Sequence, residues 1–155
     1  MSFRIEGLNP DLFRHLFGLS NEALAQHNAV RHVAQTSPGL PDRICLRDLQ
    51  VGESAILLNF EHLPTNSPYR SSHAIYVWEG ATKAEVLIDQ VPDVMQHRII
   101  ALRAFDKDDM MLSTELATGE NIAMTINEMF ADSQVAFIHA HFAKHGCFAA
   151  RIDRA

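Results

Sequence analysis

A chain of 155 residues, 47% hydrophobic and 21% charged, has the length and balance of a single globular domain over 1–155, large enough to bury a core without staples. Thirteen basic against nineteen acidic residues leave a formal charge of −6, and no basic run is interleaved with aromatics, which argues against a phosphate-tracking nucleic-acid surface. No apolar run reaches membrane-spanning length, the first ten residues, with Arg4 and Glu6 interrupting the apolar ones, lack the charged, apolar and small-residue order of a signal peptide, and two distant cysteines, Cys45 and Cys147, read as free thiols. Cytoplasmic location without membrane or nucleic-acid partners is the expectation.

In chain order, Phe3 and Ile5 alternating with Arg4 and Glu6 predict a first strand over 2–8. Asn9 followed by Pro10 starts a short helix toward Gly18, and Ser20 with Glu22 starts a second that ends near His27. A strand is expected at 30–33, a proline-rich loop at 37–41 and a brief strand at 44–46. The run 54–62, apolar on both sides in its first half, reads as an interior strand that brings Asn59, Glu61 and His62 to its end. Residues 63–71 form a loop carrying Asn66, Ser67, Tyr69 and Arg70, and strands return at 73–79, 86–88, 99–105 and 110–113. Pro92 opens a short helix, and Thr118 caps one whose Ile122, Ile126, Met129 and Phe130 recur on one face. Asp106, Asp108 and Asp109 lack the glycine and the closing glutamate of a calcium loop. Short turns between strands, with helices mostly near the ends, predict an α+β fold: a mainly antiparallel sheet, a C-terminal β-hairpin and a few short helices packed on it.

The hairpin, 135–154, carries the densest chemistry. Same-face residues in a strand lie about 6 to 7 Å apart, so Val135, Phe137, His139 and His141 share a side. A three-residue loop Lys144-His145-Gly146 sets Ala143 opposite Cys147, His141 opposite Ala149 and His139 opposite Arg151, which gathers two imidazoles, a thiol and a guanidinium. A two- or four-residue loop instead pairs Phe142 with Cys147 and sends Cys147 and Arg151 to the far face.

His139 and His141 are candidates for proton transfer and Cys147 for nucleophilic attack beside them. Arg70 and Arg151 offer forks for an anion, with Glu61, His62 and Tyr69 to orient it; the plainer alternative pairs Arg70 with Glu61 and Arg151 with Asp153. A metal on His139-x-His141, completed by Cys147 or His62, is the second reading, and Arg151 weighs against it by repelling a divalent ion.

The segments NFEH at 59–62, SPYR at 67–70 and HAH at 139–141 with GCFAARIDR at 146–154 resemble an uncharacterised bacterial family, domain of unknown function 1203. The resemblance runs over nearly the whole chain and implies no activity, since the family has none assigned. The chain departs from the family's pattern at Phe60, Leu63, His73 and Phe142, which moves weight to Glu61, His62, Tyr69, Arg70, His139, His141, Cys147 and Arg151. The leading expectation is a pocket between the 63–71 loop and the 135–154 hairpin that binds an anionic or polar small molecule, with no cofactor specified. Metal-assisted hydrolysis with Glu61 as base, and a non-enzymatic interaction or homodimerisation module built on the hairpin's exposed face, are the alternatives.

Overall fold

The computed structural model describes residues 1–155 and contains two antiparallel sheets. The larger has six strands: β1 (Phe3–Glu6), β5 (Val86–Ile88), β6 (Ile100–Phe105), β7 (Met111–Ala117), β8 (Phe137–Phe142) and β9 (Phe148–Arg154), in the order β5-β1-β9-β8-β6-β7. The smaller is β2 (Val30–Val33), β3 (Ser54–Leu63) and β4 (Ser71–Trp78), in that order. Helices α1 (Asn21–Gln26), α2 (Asp93–Gln96) and α3 (Asn121–Phe130) are all short, in keeping with the α+β expectation. No helix is long and apolar enough to cross a membrane.

The apolar repeat of α3 places Ile122, Ile126, Met129 and Phe130 in one core cluster with Ile100 and Leu102 of β6, Ile138 and Ala140 of β8 and Ile152 of β9. A second cluster joins Ile56, Ile75 and Val77 of the small sheet to Phe13, Leu16 and Leu24. Just past β1 the chain runs close against the backbone of residues 43–44: a Cβ on Gly7 would stand 1.9 Å from the Ile44 carbonyl oxygen, so only glycine fits.

Several local expectations change. Residues 10–16 make two 3-10 turns, since Asn9 caps only the amide of Asp11 and Phe13 leaves helical geometry with φ −122° and ψ −9°. Residues 44–46 form no strand, because the Asp42 carboxylate binds the amides of Ile44 and Cys45 and Leu46 takes a φ of +52°. β7 continues to Ala117, held by its ladder with β6. The C-terminal hairpin is interior, covered by β1 on one side and β6 on the other, so the sheet's free edges are β5 and β7.

Candidate metal centre

Two β-bulges aim the site. In β3, Glu61 pairs with Ser72 and Leu63 with Ser71, leaving His62 as the extra residue turned toward the large sheet. In β9, Ala150 pairs with Ala140 and Phe148 with His141, leaving Ala149 extra.

The second bulge corrects the expected hairpin register. The connection has four residues, 143–146, because the Phe142 amide donates to the Cys147 carbonyl and the Gly146 amide to the Phe142 carbonyl, with Gly146 at φ +77°. Phe142 therefore stands opposite Cys147, and His141 faces Phe148 in place of Ala149. The bulge then recovers one residue, so His139 still faces Arg151 as expected. A four-residue loop followed by a bulge thus separates two residues, Cys147 and Arg151, that an unbroken alternation would keep on one face.

His62, His139 and His141 converge across the gap between the sheets, each with a ring nitrogen within 4.8 Å of the others. The Nδ1 atoms of His62 and His139 are 3.3 Å apart. Two nitrogens bound tetrahedrally at 2.0–2.1 Å from one zinc would be separated by about 3.3 Å. Nε2 of His62 lies 2.8 Å from Nδ1 of His73, and the Phe148 ring stacks on His62 at 4.9 Å between centroids. His141 turns Nδ1 to the Gly146 carbonyl at 3.0 Å, which makes Nδ1 the protonated nitrogen and leaves Nε2 a bare lone pair. That Nε2 is buried and has no hydrogen-bond partner.

The imidazoles are held neutral. Burial drives His139 down to about 2, with His62, His141 and the nearby arginines adding to it. Burial likewise takes His141 to about 3, against an opposing pull from the Gly146 carbonyl, and His62 to about 4, helped by His73 and Arg103. Neutral imidazole is the form that binds a metal.

The other expected residues are placed elsewhere. Cys147 lies outside the histidine group, its sulfur 3.1 Å from an Arg43 nitrogen. Arg70 forks onto Glu61 at 3.0 and 3.2 Å, and Arg151 binds Asp153 while its guanidinium lies 3.9 Å from the Phe137 ring centre. Both are the plainer ion pairs. Tyr69 rests edge-on against Phe105, with 6.0 Å between the ring centroids. His139 and His141 are each 1% exposed.

A family model described as Protein of unknown function (DUF1203) matches residues 39–154, which include the whole histidine cluster. The chain belongs to this family. No curated protein and no solved structure matches it.

Three contributors to the DUF1203 site went unselected in the sequence. His73 was within reach of inference, since pairing the strands on either side of the 63–71 loop brings it to the same end as His62. Arg103 follows from β6 lying beside β8, where it pairs with His139, and only the strand order reveals that. Arg43 sits in an irregular segment with no periodicity to read.

Proposed function

We propose that this DUF1203 protein binds a divalent transition metal, of the zinc type, on His62, His139 and His141, and uses it for metal-assisted hydrolysis of a small anionic or polar molecule. The observation that carries the reading is His141: its Nδ1 is tied to a backbone carbonyl, and its buried Nε2 has nothing to bind in a ring grouped with two other imidazoles. A ring fixed through one nitrogen by an outer carbonyl and open at the other is how metal-ligating histidines are oriented. His73 serves His62 in the same way.

Three neutral imidazoles leave the charge of a divalent ion unbalanced. A metal with three protein ligands keeps a position for water and lowers the pKa of that water toward neutrality, which supplies a hydroxide nucleophile. Arg103, across the ladder from His139 and without a carboxylate partner among its contacts, suits an anionic substrate. Arg151, whose charge opposes a metal, is paired with Asp153, although part of its field still reaches His139.

The deciding measurement is elemental analysis of untagged protein purified without chelator, with cobalt substitution of the stripped chain. About one metal per chain, a tetrahedral cobalt spectrum, and loss of both in His62→Ala and His141→Leu are expected. A folded chain that takes up neither zinc nor cobalt sinks the reading. Hydrolysis is then tested with small ester and phosphoester substrates on zinc-loaded and stripped protein.

A further inference from the structure

A cavity of about 430 Å³ opens beside the histidine cluster, within the range of small-molecule sites. Its wall includes Arg43, Arg98, His73, His145, Phe142 and Cys147, and no aspartate or glutamate lines it. None of the 63–71 loop contributes, so this space is distinct from the pocket expected of the sequence.

Arg43 is the feature that calls for an occupant. It is 2% exposed, and its guanidinium donates to the Phe148 carbonyl at 2.8 Å, to the Pro41 carbonyl and to the Cys147 sulfur, with no carboxylate among its acceptors. Those three bonds leave two of its five N–H groups over. The adjacent Asp42 attracts it at a distance, but its oxygens are taken by the amides of Ile44, Cys45 and Trp78. Arg98, by contrast, is matched by Asp48 through two bonds of 2.6 and 2.9 Å. A buried guanidinium is costly unless an anion meets it, and burial lowers the Arg43 pKa accordingly.

We infer that this cavity binds a small oxyanion, a carboxylate or phosphate group, against the unused N–H groups of Arg43, with His73 and His145 at its wall. The guanidinium's planar fork matches such a group, and the ring of Phe142, 4.8 Å from the Arg43 guanidinium carbon, holds that fork from behind. The inference stands without the metal. His73 belongs to both sites, so with a metal in place the oxyanion would lie next to the centre.

The test uses the full chain, titrated calorimetrically with malonate and with inorganic phosphate in separate arms, while iodoacetamide labelling of the two cysteines is followed by mass spectrometry. Saturable binding of one anion per chain is expected in at least one arm, which also identifies the preferred oxyanion. The bound anion should slow Cys147 labelling and leave Cys45, outside the cavity, unchanged. Arg43→Met should weaken binding about 10- to 100-fold. Should that variant not fold, Ala74→Trp decides: it fills the wall from an exposed position and should abolish binding with Arg43 intact. Binding should persist in His141→Leu, which places the anion at Arg43 and not on a metal. The inference is overturned by absence of saturable binding in both arms, by binding that survives Ala74→Trp, or by binding lost in folded His141→Leu.

Discussion

On one face of β8, Ile138, Ala140 and Phe142 join the apolar cluster under α3; on the other, Phe137, His139 and His141 meet the end of the small sheet, and all six are buried. Equal burial has opposite consequences on the two faces. The apolar side is complete once packed, because its side chains ask only for contact. The imidazole side is incomplete without partners for its nitrogens, and one of them, His141 Nε2, has none. Burial without satisfaction stabilises nothing by itself and marks where the chain departs from folding economy.

The contrast can be broken first on its apolar side. Ile138→Ala should destabilise the chain by about 2–5 kcal/mol in denaturant unfolding while leaving metal content per folded chain unchanged. A loss of metal in the folded fraction would mean that the two faces are not independent.

On the other side, His141→Leu should lower metal affinity by about 100-fold or more, since even outer-shell changes cost 10- to 100-fold. The stripped variant should melt slightly lower than stripped wild type, because it loses the Nδ1 bond to the Gly146 carbonyl, worth about 1 kcal/mol, partly offset by replacing the unpartnered Nε2 with an apolar group of similar size. A loss of more than about 3 kcal/mol in the stripped variant would show that Nε2 has a structural partner as well.

Protonation sharpens the comparison further. The folded state holds His62, His139 and His141 near 4, 2 and 3, below the ordinary imidazole value of 6.5. Below about pH 6.5 the unfolded chain binds protons that the folded chain refuses, so stability is present above that pH and is lost progressively as pH falls toward the folded values. Metal-free protein should lose roughly 1 kcal/mol per imidazole between pH 7 and 5.5. Urea melts of wild type and His141→Leu across that window measure it, and identical slopes would remove His141 from the account.

The smallest effect belongs to the exposed pairs. Arg70 and Glu61, with side chains 59% and 40% exposed, are expected to contribute under about 1 kcal/mol in a double-mutant cycle. Arg70→Gln should also leave metal and anion binding unchanged, and a loss of either would return the 63–71 loop to the site.

Much of the architecture was legible because it rests on local pattern. Alternation marks β4, β6 and β8, a run apolar on both sides marks β3, and the spacing of Ile122, Ile126, Met129 and Phe130 marks α3 and its buried face. The candidate site was legible in part: HAH on one strand face and His62 at a strand end were selected, and the structure brings those three together. Glu61, Tyr69, Arg70 and Arg151 were selected for their chemistry, yet their partners are Arg70, Phe105, Glu61 and Asp153. Residue type states what a side chain is able to do and not what it meets.

By itself, then, the sequence determined the antiparallel elements, the absence of a membrane-spanning helix and the pairing of His139 with His141, since each follows from periodicity over a few neighbouring residues. Only the tertiary structure decided that Cys147 leaves the histidines for Arg43, that His62 and His73 join them from another sheet, and that the hairpin is interior. Those outcomes depend on two single-residue bulges and on strand order. One extra residue reverses every face beyond it, and strand order is set by burial summed over the whole chain, so neither is written in any local pattern.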